Sequence, residues 1–172
     1  MFIFDGSSKD KDTYIQKEIE SGMFINLKKV YQLDISSQEN ELLQKAKDNP
    51  TQLTTLVFID QLIQGSDQEA LLLKILGAVD LKENNYVFIS RTDHPHLCLG
   101  HFDQTLFTNL KYIIVFGLKA NDVGLHTISK KYLNMTVGDK HILFSDNLAA
   151  LQQQSALKGE LWNSLKRMFE MG

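Results

Sequence analysis

The sequence predicts an α/β fold, a three-layer sandwich in which a four-stranded, mainly parallel sheet lies between helices. Three observations predict it. Four short runs rich in β-branched and apolar residues recur along the chain, at 53–59, 86–89, 112–116 and 141–144. Each is followed by a segment with helical spacing or helix-start signals, and that alternation is the signature of crossover connections and a parallel sheet. The length, 172 residues, suits one domain with a proper core and is short for two. We therefore expect a single domain over 1–172, with residues 1–50 as a helical N-terminal part.

The elements follow in order. Asp10 or Asp12 can cap a first helix to about Glu20, ended by Ser21-Gly22. Lys29 to Leu33 alternates and reads as a short strand. Ser36 or Ser37, with Glu39 and Glu41 just beyond, starts a helix reaching Lys47, and Asn49-Pro50 stops it because proline disfavours helix in the residue before it. Leu53 to Ile59 is a buried strand by composition. Ser66 caps a helix that carries Leu71, Leu72, Ile75, Leu76 and Val79 on one face, ending near Gly77 or Asp80. Tyr86 to Ile89 is the second strand. The polar loop Arg91 to Gly100 leads to a short helix around Phe102 to Asn109. Tyr112 to Phe116 is the third strand, closed by Gly117, and a helical turn follows at Lys119 to Leu125. Val137 to Lys140 is a turn before the fourth strand, His141 to Phe144. From Leu148 to Met171 the chain is helical with a break near Ser155; Leu157, Leu161, Leu165, Met168 and Phe169 form its apolar face, and Trp162 is expected in the core with them.

Composition narrows the function classes. Net charge is −3, from 18 basic and 21 acidic residues. A protein that lives on nucleic-acid phosphates usually carries a basic excess, and the basic spots here, Lys28-Lys29, Lys130-Lys131 and Lys166-Arg167, are short solvated pairs. No apolar run approaches a membrane span. The N-terminal Met1 to Gly6 shows no basic region followed by a long apolar core, so no secretory signal is expected. The single cysteine, Cys98, excludes an internal disulfide. A cytoplasmic protein is the expectation.

In a parallel sheet ligands sit beyond the carboxyl ends of the strands. The functional rim should therefore comprise residues 60–66, 91–101, 117–121 and 145–147. Asp60, at the end of the first strand, is placed to act as a general base or to cap the loop that follows. In the second loop His94, His96, Cys98 and His101 put four metal-capable side chains within eight residues. Zinc would need three or four of them to converge tetrahedrally, and their spacing is not that of a common zinc framework. Surface histidines are the simpler reading. No nucleophile elbow, Walker loop or dinucleotide-binding glycine pattern is present.

Three stretches together resemble the uracil-DNA glycosylase superfamily. Ala156-Leu-Lys-Gly-Glu-Leu-Trp162-Asn-Ser-Leu-Lys-Arg167 is similar to the helix that closes that domain. Ala70 to Leu81 followed by Asn85-Tyr-Val-Phe-Ile89 is similar to the family's leucine-rich helix and second strand. Lys111-Tyr-Ile-Ile-Val-Phe-Gly117 is similar to its third strand. The resemblance covers roughly residues 53–170 and implies a glycosylase-like sheet, but not the chemistry. Where the family carries a Gly-Glu-x-Pro-Gly loop that positions the catalytic water, this chain has Ile59-Asp60-Gln61-Leu62-Ile63. Where the family's His-Pro pair stands before the last helix, this chain has Asn147-Leu148, an asparagine that could still donate to an oxyanion. His94-Pro95 lies before the third strand and does not replace that pair. The iron–sulfur cluster of one family branch needs four cysteines, so no cofactor is implied. Asp60, Gln61 and Asn147 are thus the residues of a degenerate site. The superfamily fold has a non-catalytic relative with the same losses, the psi subunit of bacterial DNA polymerase III. The resemblance therefore implies a non-enzymatic domain with a protein partner, in the replication machinery by analogy. A diverged enzyme acting on nucleic acid or a nucleotide is the second expectation.

Overall fold

The sheet is built around two strands that are buried on both sides. In the computed structural model, which describes residues 36–102 and 106–171, β1 (Thr55–Ile59) and β3 (Tyr112–Phe116) lie side by side in parallel register, Thr55 opposite Tyr112 and Ile59 opposite Phe116. β2 (Tyr86–Ser90) adds to the far side of β1, and β5 (Lys140–Ser145) to the far side of β3, both parallel. β4 (Asn134–Val137) closes the β5 edge as an antiparallel hairpin, so the order is β2-β1-β3-β5-β4. The sheet therefore has five strands rather than the expected four. The fifth escaped notice because Asn-Met-Thr-Val is short and half-exposed, with no apolar run to announce it. Its turn was legible: Gly138 and Asp139 form a two-residue loop with positive φ at Gly138 alone, the pattern of a type II′ hairpin.

Strand order and handedness decide which face each connection covers. From β1 the chain moves one way to β2, then reverses across β1 to β3. Keeping the right-handed crossover through a reversal puts successive connections on opposite faces. α2 (Asp67–Ala78) accordingly packs Leu72 and Leu76 against Val57, Ile59, Ile114 and Phe116. The β2–β3 connection puts Leu97, Phe102, Phe107 and Leu110 against Leu56, Phe58, Ile113 and Val115 on the other face. α3 (Leu148–Gln153) and α4 (Ser155–Met168) join α2, while α1 (Ser37–Asp48) joins the opposite layer through Leu43 and Ala46. The result is three layers. Each β1 side chain from Leu56 to Ile59 is at most 2% exposed, and burial of that kind contributes roughly 1.5–3 kcal/mol per large aliphatic or aromatic residue.

Helix boundaries follow their caps. Ser36 accepts from Glu39 N–H while the Glu39 carboxylate accepts from Ser36 N–H at 2.7 Å, a capping box. Ser66 caps α2 on Glu69 N–H. The chain breaks at Gln154 between α3 and α4, one residue before the expected position. Four expectations need correction or lie elsewhere. Residues 99–101 form one 3₁₀ turn and 106–109 form turns, where a helix from Phe102 to Asn109 was expected; Thr108 and Asn109 are weak helix formers, and burying Phe102 against Phe107, ring centroids 5.5 Å apart, takes precedence. Trp162 is 37% exposed, on the outer side of α4, instead of in the core, while Phe169 packs on the Tyr112 ring at 4.3 Å. The expected helix at 10–20 and strand at 29–33 lie outside the described residues. Among those described, no helix is long and apolar enough to cross a membrane.

Glu39 joins the first helix to the β2–β3 connection. Its side chain is buried, and Oε1 accepts from His96 N–H at 2.7 Å across 57 residues of sequence. Burial alone would raise its pKa, but the N–H groups of Ser36 and His96 favour the charged form and hold it below the ordinary 4.5. With the folded value depressed, the stabilisation is complete above the unfolded pKa and is lost as pH falls through the folded one. Glu39→Gln should cost about 1–3 kcal/mol at neutral pH, and denaturant titrations should show the gap to the parent closing in acid. A gap that does not change with pH would assign the loss to packing.

Candidate functional site

The rim at the carboxyl ends of the strands brings three separated residues together. The strand order reverses between β1 and β3, and a crevice opens at such a switch point because the two chains leave in opposite directions. Here Asp60 N–H donates back to Phe116 O at 3.2 Å, bridging the two strand ends. Gly117 follows with φ of +73°, and a Cβ at that position would sit 2.7 Å from Asn147 Cβ and 2.8 Å from Asp60 Oδ2. Asp60 and Asn147 thus flank the same bare backbone. Gly117, which closes the third strand, is also the floor on which the two side chains meet, and both its positive φ and its missing side chain are required.

What these groups do in the rim is largely local. Asp60 Oδ1 accepts from Gln61 N–H at 2.9 Å, and Asp60 O accepts from the Thr92 hydroxyl at 3.0 Å. Gln61 is exposed and joins through its backbone. Asn147 is the N-cap of α3: its Oδ1 accepts from Ala150 N–H at 2.9 Å, leaving only the amide nitrogen to donate elsewhere. Next to it lies a cluster that sequence reasoning missed. The Asp146 carboxylate takes the Tyr132 hydroxyl at 2.6 Å and pairs with Lys131. Burial opposes its charge, but these two partners hold its pKa low, whereas burial and Asp146 raise that of Tyr132. Tyr132 sits at φ +61°, with its N–H on Phe144 O and its carbonyl accepting from Ser164 Oγ at 2.6 Å. A tyrosine in the left-handed region with both backbone groups engaged is a fixed post. That φ was the signal, and no residue pattern announces it.

The 91–101 loop separates its four metal-capable residues. Cys98 Sγ lies 3.4 Å from His101 Nδ1, and the Cys98 backbone N–H and carbonyl lie 3.1 and 3.3 Å from the same nitrogen, so the tautomer sets which of these bonds forms. His96 is held through its backbone by Glu39, and His94 through its backbone by Ser90 O. Among the described residues no three His, Cys, Asp or Glu side chains come together as metal ligands. The i, i+3 spacing brings Cys98 and His101 together across one 3₁₀ turn, and neither His94 nor His96 completes a ligand group with them. The imidazole hydrogen bond lowers the thiol's pKa against the opposing effect of burial, with the Gly100 backbone assisting; the same bond raises that of His101. Cavities of about 370 and 450 Å³ lie elsewhere, between α1 and β2 and beside the end of α4, and rim residues line neither.

Two measurements probe these arrangements. Gly117→Ala, which must carry a Cβ at positive φ against Asn147 and Asp60, should lose about 2–4 kcal/mol in denaturant unfolding; a neutral result would mean the rim relaxes freely. Alkylation of Cys98 by iodoacetamide should show its rate midpoint below the ordinary thiol value of 9.0, moving upward in His101→Ala. A midpoint at or above 9.0 in the native protein would show that burial outweighs the imidazole.

Comparison with protein-family models, with curated proteins and with solved structures finds no match.

Proposed function

We propose that this chain is a non-enzymatic protein-interaction domain on a uracil-DNA glycosylase-like scaffold, a psi-like subunit of the replication machinery. The observation that carries the non-enzymatic part is the engagement of Asn147. Cleavage of a glycosidic bond needs preorganised donors aimed at the charge that develops on the leaving base. Asn147 holds the position where the resemblance sets the family's histidine: its oxygen caps α3 on Ala150 N–H, so the amide is held at the helix start and offers one neutral N–H group where the family has an imidazole. Asp60, the rim carboxylate at the end of β1, has Oδ1 on its own loop. These are the tasks of a scaffold. The replication partner rests on the sequence resemblance alone.

A second reading, a diverged enzyme on nucleic acid or a nucleotide, is favoured by one observation: Asp60 remains partly exposed at the switch point. A uracil-release assay on single- and double-stranded DNA separates the two. The expected outcome is no release above background from folded protein, together with copurification of polymerase or clamp-loader components on tagged full-length chain. Release that disappears in both Asp60→Ala and Asn147→Ala would overturn the proposal and make the rim an active site.

A further inference from the structure

The outer face of α4 carries a pattern that packing does not explain. The helix buries Leu161, Leu165 and Met168. On its other side Lys158, Trp162 and Lys166 follow one another at four-residue spacing, which puts them on one face over about 12 Å. Lys158 and Trp162 are exposed, and the Lys166 ammonium lies 5.9 Å from the centre of the indole. Gly159 stands beside Trp162 one turn back. A Cβ there would meet nothing within 4 Å, so no neighbour in the fold requires a glycine. In mid-helix it costs about 1 kcal/mol against alanine, and it leaves bare backbone beside an exposed indole, a place where a second chain can come close.

We infer that this face, Lys158, Gly159, Trp162 and Lys166, is a docking site for an acidic protein segment with an apolar anchor. The inference rests on the reading of the chain as an interaction domain and names the surface and the partner's chemistry. Charge complementarity selects the occupant: two ammonium groups flank the indole, and no acidic side chain lies between them on that face. The anchor residue seats on Gly159 against Trp162, and carboxylates to either side meet Lys158 and Lys166. Tryptophan is among the residues that most often dominate binding energy. Single-stranded nucleic acid fits less well. A stacked base needs an open aromatic face, and Lys166 already sits over one.

Trp162 is the only tryptophan in the chain, so its fluorescence reports on this surface directly. Full-length protein is titrated with a panel of peptides of about twelve residues, Asp- and Glu-rich around one Leu, Phe or Trp, with lysine-substituted counterparts, and with oligo(dT). Calorimetry follows the same probes where the indole is removed or the peptide carries its own. Acidic anchored peptides should perturb the emission and bind. Their affinity should fall by about tenfold or more in Trp162→Ala and in Lys158→Glu/Lys166→Glu, and should weaken with salt. Circular dichroism checks that these surface variants remain folded. No binding of acidic peptides, binding indifferent to the charge reversal, or preferential binding of oligo(dT) overturns the assignment. Copurified replication proteins that persist on the charge-reversed chain would overturn this surface while leaving the interaction-domain reading intact. Uracil release by the parent would instead overturn that reading.

Discussion

Two-sided burial of β1 and β3 is the constraint from which the other features follow. A strand whose residues are all excluded from water must be covered on both faces, and its backbone groups must be paired on both edges. β1 meets that requirement with β2 and β3 as neighbours and with the two apolar clusters above and below. Parallel pairing then forces each connection to cross the sheet. The handedness rule distributes those crossings between the faces. The reversal from β2 to β3 creates the switch point, and so the location of Asp60, Gly117 and Asn147 follows from burial in the middle of the sheet.

The two layers are completed differently. The face under α2, α3 and α4 is covered by regular helices with apolar stripes. The opposite face is covered by α1 and by a connection with little regular structure, and that irregularity needs polar anchors. Glu39 supplies one, holding the loop through His96 N–H. The hydrogen bond from Asn109 to Thr51 O, at 2.6 Å, supplies another. The Cys98–His101 pair lies inside this anchored loop, so its geometry depends on a helix more than fifty residues earlier in the chain.

The same logic explains why the rim resembles a site although its side chains bond locally. Asp60 and Asn147 are where strand-end residues of an α/β enzyme would be, since strand ends put side chains beside the switch point whatever they do there. Their hydrogen bonds run to Gln61 and Ala150, their own loop and helix. The face that is left without a role inside the fold is on α4, where Trp162 stands outside the core and Gly159 packs against nothing.

The sequence by itself determined the local elements. β-Branched runs marked β1, β2, β3 and β5, the Ser36 and Ser66 caps marked α1 and α2, and Gly138-Asp139 marked a turn, because these signals depend on neighbours within a few residues. It also named the rim residues, since strand ends can be read from the runs themselves. Tertiary structure alone decided the rest. β4 forms because β5 offers it an edge. The turns at 106–109 replace a helix because Phe107 must reach the cluster that Phe102 also enters. Trp162 faces out because α4 already fills its buried side with Leu161, Leu165 and Met168. Asp60, Gly117 and Asn147 meet, and Asp146 finds Tyr132, across stretches of chain over which no residue pattern carries information; only the order of strands in the sheet sets those distances.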